Sequence, residues 1–206
     1  MLKVYYQFSR YNDDGLIRRS RKKLSRSFVK QFMQMMYVGL KTYATTTATD
    51  SINTSRVIYY PYQFVSVHPG GNAARFWANE GNYVGLANMY KVGIHVGTGT
   101  SAVGMTDAAL ATEIDNGTGA GELEYLSCHA DNYTISAPNA TFTLERYFRN
   151  SSGDSIDINE VGVYSTTSGQ TTSIYSLQII RDLVAPAETV ADGEYLKVTY
   201  TFQVSV

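Results

Sequence analysis

The amino-acid sequence predicts a mainly β protein, an antiparallel β-sandwich or jelly-roll-like body with an N-terminal amphipathic α-helix, and three observations carry that expectation. Near the C-terminus Leu196, Val198, Tyr200, Phe202, Val204 and Val206 alternate with Lys197, Thr199, Thr201, Gln203 and Ser205. A period of two buries one set and wets the other, as in an antiparallel sheet with one solvated face. Composition agrees: 17 Tyr, 17 Gly and only 17% charged residues among 206 suit turn-rich β structure, not long helices. Turn signals at 150–154 (NSSGD), 166–170 (TTSGQ) and Asp192 with Gly193 separate the apolar runs.

From the N-terminus, the first element is a helix within residues 16–40. Leu24, Phe28, Phe32, Met35 and Met36 fall on one face at about 100° per residue, and Arg19, Lys23, Arg26 and Lys30 lie opposite. The helix ends near Gly39. Residues 42–55, rich in Thr, Ala and Ser without a period, read as a linker or an irregular edge. From Arg56 the period becomes two, in 57–67, 90–96, 141–149 and 175–183. In 156–164 the apolar phase slips from Ile156 and Ile158 to Val161 and Val163, which predicts a β-bulge near Asn159 and Glu160. Residues 122–127 form a further strand, and Thr106 caps a short Ala-rich helix over 106–114. The division is a basic arm, helix and linker over 1–55 and a β body over 56–206.

Charge divides the chain in the same place. Residues 1–31 hold nine Lys or Arg against Asp13 and Asp14, a net +7, whereas residues 32–206 hold eight bases and sixteen acids, a net −8. A basic arm on an acidic body argues against a uniformly basic nucleic-acid binder. No apolar run approaches the roughly 20 residues that span a bilayer. Lys30, Gln31 and Gln34 interrupt the N-terminal one, which also spoils a signal peptide. A soluble chain made without secretion is expected. Cys128 is the single cysteine, so no internal disulfide forms.

Chemical motifs are sparse. The glycine pattern at 96–104, VGTGTSAVG, lacks the Gly-Lys-Ser/Thr ending of a phosphate-binding loop, and GTGAG at 117–121 reads as a turn. Cys128 and His129 are neighbours, which on a strand point to opposite faces and do not chelate one ion. Nucleophile elbows are missing, and Glu122 with Glu124 reads as a solvated pair. The expectation is a protein without catalytic residues, metal or cofactor. Tyr59, Tyr60 and Tyr62 around Pro61 are candidate glycan contacts, because aromatic rings stack on sugars, but Tyr is also an ordinary strand former and that reading is favoured.

Three readings of the basic helix follow from its charge. It lies on nucleic acid, rests on an anionic membrane, or docks Phe28, Phe32, Met35 and Met36 against this body or a neighbouring subunit. Docking is favoured, since the acidic body supplies a complementary surface and a Met-rich stripe packs adaptably.

Four segments carry a further signal: VGTGTSAVGMTDAAL (96–110), GTGAGELEY (117–125), TFTLERYFRNSSGDSIDINEVGVYS (141–165) and RDLVAPAETVADGEYLKVTYTFQV (181–204). In order and character this half of the chain, residues 96–206, resembles small structural proteins of tailed bacteriophages. The resemblance implies a non-enzymatic virion component of head, neck or tail, assembled in the host cytoplasm, with other virion proteins and copies of itself as partners. The N-terminal arm would then anchor it through Leu24, Phe28, Phe32, Met35 and Met36, with Arg19, Lys23, Arg26 and Lys30 meeting acidic protein or packaged DNA and no membrane involved. The alternatives are a receptor- or glycan-binding module of the virion and an enzyme acting on cell-wall polymer.

Overall fold

Val4, Tyr6 and Phe8 alternate with Tyr5, Gln7 and Ser9, so the period of two that marks the last strand also marks the first element. The computed structural model describes residues 2–25, 27–40, 45–59, 91–131, 133–168 and 174–205. In chain order the elements are β1 Leu2–Asn12, β2 Gly15–Arg19, β3 Lys23–Ser25, α1 Lys30–Leu40, β4 Thr45–Thr49, β5 Ser55–Tyr59 and β6 Gly93–Gly97. They continue as β7 Glu124–Ala130, β8 Thr134–Ser136, β9 Asn139–Arg149, β10 Ile156–Ser168, β11 Ile174–Val190 and β12 Tyr195–Ser205. The described residues are mainly β, in antiparallel sheets that curl into a half-barrel, with one short helix.

The main sheet has the order β2-β1-β12-β9-β7. Beside β2, β3 pairs with the same edge of β1, and β8 pairs with the β7 side of β9. Registers run the whole length of the central strands, from Leu2 opposite Val204 to Tyr11 opposite Tyr195, and from Tyr195 opposite Arg149 to Ser205 opposite Asn139. A smaller sheet has the order β11-β10-β6, and β4 with β5 forms a hairpin.

Alternation along these strands builds one shared core. Val4, Tyr6 and Phe8 of β1, Leu196, Val198 and Tyr200 of β12, and Leu144 and Phe148 of β9 meet Ile94 and Val96 of β6 and Ile158, Val161 and Val163 of β10. Each such side chain contributes roughly 1.5–3 kcal/mol when fully buried. Two phenols tie the sheets together: Tyr6 donates to the Leu183 carbonyl at 3.0 Å and Tyr200 to Asp182 Oδ2 at 3.1 Å. Burial and the Asp182 charge push Tyr6 up to about 12, and burial raises Tyr200 well above its ordinary value, so both remain protonated donors.

Several expectations are corrected here. The helix occupies only Lys30–Leu40, because residues 15–19 and 23–25 pair back onto β1 as strands. The hairpin reverses at Asp13 and Asp14, and Gly15 at φ +122° supplies a backbone angle that L side chains rarely adopt. Residues 45–49 are a strand, not linker, and residues 2–12 form an interior strand of the main sheet. Residues 106–114 are irregular, not helix; the N–H groups of Leu110, Ala111 and Thr112 bond to side chains of the sheet. The run from 57 is strand as far as the description reaches, at Tyr59, and its continuation to 67 lies outside the described residues. The bulge near Asn159 and Glu160 is present, as a register shift between Ile158 and Glu160.

Candidate functional site

As the middle strand of the smaller sheet, β10 needs cover on both faces. Val161 and Val163 point into the core, so Glu160, Gly162 and Tyr164 point the other way, toward residues 98–112. The Glu160 carboxylate is fully buried yet saturated. Its Oε1 accepts the N–H groups of Gly99 at 3.2 Å and Thr112 at 2.7 Å, and its Oε2 accepts Ala111 N–H at 3.0 Å and Arg181 Nε at 2.8 Å.

Arg181 lies on β11 opposite Gly162, with its side chain 2% exposed. Nη1 donates to Asp107 Oδ2 at 2.6 Å and to the Ala102 carbonyl at 3.4 Å; Nη2 donates to Ser101 at its carbonyl, 3.0 Å, and its Oγ, 3.1 Å. Tyr164 accepts Leu110 N–H at 2.8 Å. Gly97 and Gly99 are glycine for a steric reason: a Cβ at either position would collide with the Glu160 side chain. Burial works against the Arg181 charge, but hydrogen bonds to Asp107 and Glu160 outweigh it and hold its pKa above the ordinary value. One guanidinium and one carboxylate therefore clamp the loop onto the sheet.

A second polar cluster adjoins the clamp. His95 of β6 points to the same face, its Nδ1 2.9 Å from Glu113 Oε1, and Lys91 Nζ donates to Glu113 Oε2 at 2.6 Å. The rings of Tyr125 and Tyr164 stand 5.2 and 5.0 Å from the imidazole. Burial lowers the His95 pKa below its ordinary value, more than Glu113 raises it. For Glu113, burial alone would raise the pKa, but the hydrogen bonds and charges of His95 and Lys91 hold it below the ordinary value. A neutral imidazole beside a carboxylate places the proton on Nδ1 and leaves Nε2 as a buried lone pair without a partner among the described residues. Arg146 closes the cluster from β9, donating to the carbonyls of Ile94 and Leu126 at 2.7 and 3.1 Å.

The residues singled out from the sequence scatter. Phe28 forms a bridge opposite Ile180 on the edge of β11 and its ring meets that of Phe32 at a tilt, with centroids 4.3 Å apart, and both pack against the core. Met35 is in that core at 4% exposure, Met36 is half-buried, and Leu24 stands 41% exposed on β3. The apolar face of the helix is thus largely directed at this chain's own body. Arg19 ends β2 in solvent, Lys23 Nζ donates to the Ala185 carbonyl at 2.7 Å, and Lys30 N–H to the Met105 carbonyl at 3.0 Å. They do not form one helical face, since Arg19 and Lys23 lie on strands. Arg26, Tyr60 and Tyr62 lie outside the described residues, and Tyr59 ends β5 opposite Thr45.

Sequence reasoning missed the Glu160–Arg181–Asp107 clamp, although Glu160 and Arg181 interrupt apolar strands and Gly97 and Gly99 mark a close approach. Among the described residues no three His, Cys, Asp or Glu side chains converge on a metal-sized site, and no helix is long and apolar enough to cross a membrane. Compared with known proteins, the chain matches no family model, no curated sequence and no solved structure.

Proposed function

We propose that the chain is a non-enzymatic structural component of a tailed-bacteriophage virion, a head, neck or tail accessory or connecting protein assembled in the host cytoplasm. One observation carries the reading. Three of the segments that resemble phage structural proteins, 96–110, 141–165 and 181–204, supply Asp107, Glu160 and Arg181, and these three side chains meet in one buried network. The hydrogen bonds of Glu160 and Arg181 run to loop backbone, to the Ser101 hydroxyl or to another member, so their chemistry is spent on holding a loop to a sheet. A rigid β body that repeats in a symmetric particle needs that kind of internal clamp.

The finer architecture we propose is a sandwich, supported by the shared core between the inward faces of the main and smaller sheets. Attachment through the helix, the expectation from sequence, is replaced in this reading by attachment through exposed sheet edges, because Phe28, Phe32 and Met35 are occupied within the chain. A glycan-binding role is the alternative; Tyr147 and Tyr195 on the outer sheet face speak against it, since Lys197 and Arg149 already cover their rings at 5.4 and 5.6 Å. The test is peptide mass spectrometry of gradient-purified particles from an infected culture. Multiple copies per particle are expected; a chain found in the lysate and missing from particles overturns the reading.

A further inference from the structure

The two edges of the main sheet carry opposite charge. On one side, residues 15–25, which form β2, β3 and their connection, contain Arg18, Arg19, Arg21, Lys22 and Lys23 and no acid. All five residues of β2 are exposed, including Leu16 at 51% and Ile17 at 44%. Among the described residues Arg19, Arg21 and Lys22 have no ion-pair partner, and Arg18 reaches Glu188 only at 3.8 Å. Ser20 fixes this edge: its N–H donates to the Phe8 carbonyl at 2.9 Å and its Oγ accepts Phe8 N–H at 3.0 Å, so the cations stand on an ordered strand pair.

The opposite edge is acidic. Residues 114–136, which include β7, β8 and the turn before them, contain Asp115, Glu122, Glu124 and Asp131 and no Lys or Arg. Asp115 and Asp131 are exposed, and Glu124 reaches Arg149 only at 3.9 Å. Leu126, Tyr133 and Ile135 are exposed here at 37%, 74% and 74%. Each edge therefore has apolar side chains to bury and charges mainly of one sign, Asp13 and Asp14 in the β1–β2 turn being the acids beside the basic edge, and exposed edge strands are ready templates for pairing with another chain.

We infer that copies of this chain associate head to tail, the basic β2–β3 edge of one copy seated on the acidic β7–β8 edge of the next. This inference rests on the structural reading proposed above. Because the joined surfaces differ, the contact is heterologous and generates a ring if the rotation closes or a filament if it does not. Charge complementarity selects the register and speeds encounter, and the exposed Leu16, Ile17, Leu126 and Ile135 supply the apolar burial.

Charge exchange tests this with the full-length chain in sedimentation velocity. One variant carries Arg19→Glu, Arg21→Glu and Lys22→Glu; the other carries Asp115→Lys, Glu124→Lys and Asp131→Lys. The wild type is expected to self-associate, with affinity falling about tenfold or more between about 0.05 M and 0.5 M salt. Each variant alone is expected to sediment as a folded monomer, and an equal mixture of the two to recover the wild-type species, since each swapped edge then meets its opposite. A wild type that stays monomeric at low salt, or a mixture that fails to re-associate while both variants fold by circular dichroism, overturns the inference. So does salt-sensitive binding of a short DNA duplex by a monomer that never self-associates, which assigns the basic edge to nucleic acid. A chain that associates in this way but is missing from purified particles refutes the virion reading and leaves the edge contact standing.

Discussion

Glu160→Gln is the sharpest perturbation of the clamp, because it keeps the shape and removes one charge. An amide oxygen still accepts from two of the four donors, as Oε1 does now from Gly99 and Thr112. The amide nitrogen then confronts Ala111 N–H and Arg181 Nε–H, now held at 3.0 and 2.8 Å, so two buried donors face a third. A buried donor left unsatisfied costs about 1–3 kcal/mol, and removing one member of a buried ion pair costs about 3–5 kcal/mol in total. Asp107, 2.6 Å from Arg181 Nη1, keeps a partner for the guanidinium, so the lower half of that range is expected. In a chain of this size each kcal/mol shifts the melting temperature by about 2–4 °C, which gives a fall of roughly 6–16 °C. Thermal unfolding followed by circular dichroism measures it, with Asp157→Asn on the exposed side of the same strand as the control. Hydrogen exchange at Ala111 and Thr112 is expected to accelerate in the variant. A melting temperature within about 2 °C of the wild type would refute the claim that this carboxylate holds the loop.

Further outcomes follow from the same geometry. His95 has a folded pKa below its ordinary 6.5, so the unfolded chain takes up the proton first and stability is expected to fall as pH drops below about 6.5. Glu113, held below its ordinary 4.5, adds a second loss below about pH 4.5; denaturant midpoints across pH check both, and His95→Gln should abolish the upper limb and shrink the lower one, since His95 helps hold Glu113 down. The Cys128 thiol is buried at 3% exposure and raised by that burial, so a thiol reagent at mildly alkaline pH is expected to label it only on unfolding; labelling at the rate of a free thiol in native buffer contradicts its placement. Met35→Ala should cost about 2–5 kcal/mol in the isolated chain, measured by urea unfolding, because its side chain is in this chain's own core; no loss would return the helix to the role of an external anchor.

Legibility from sequence tracked how local the cause was. The run from Leu196 to Phe202 announces its inward face because alternation and burial coincide, and the phase slip after Ile158 marks the bulge for the same reason. The helix was overextended because Leu24 happens to fall in phase with Phe28 and Phe32, while the fact that decides it, pairing of Leu24 with Tyr5, is set by β1 and not by the segment itself. Residues 106–114 misled similarly: Ala-rich sequence favours helix locally, but Glu160 and Tyr164, some fifty positions on, take Leu110, Ala111 and Thr112 N–H as partners. The clamp was legible only in fragments, as glycines without a known contact and charges in apolar strands. What joined them is the antiparallel register of β10 with β11 and β6, which places Arg181 and His95 on either side of Gly162.

Pairing of Leu2 with Val204 and Phe8 with Val198 has a kinetic consequence during synthesis. The first strand leaves the ribosome long before β12, its one full-length partner among the described residues, has been translated, and until then its apolar side chains must wait in an unfinished nascent chain. Closure of the main sheet therefore waits for β12 to emerge, and such non-local pairing folds slowly. A nascent chain stalled before β12 should accordingly remain protease-sensitive throughout β1, whereas one from which β12 has emerged should protect it.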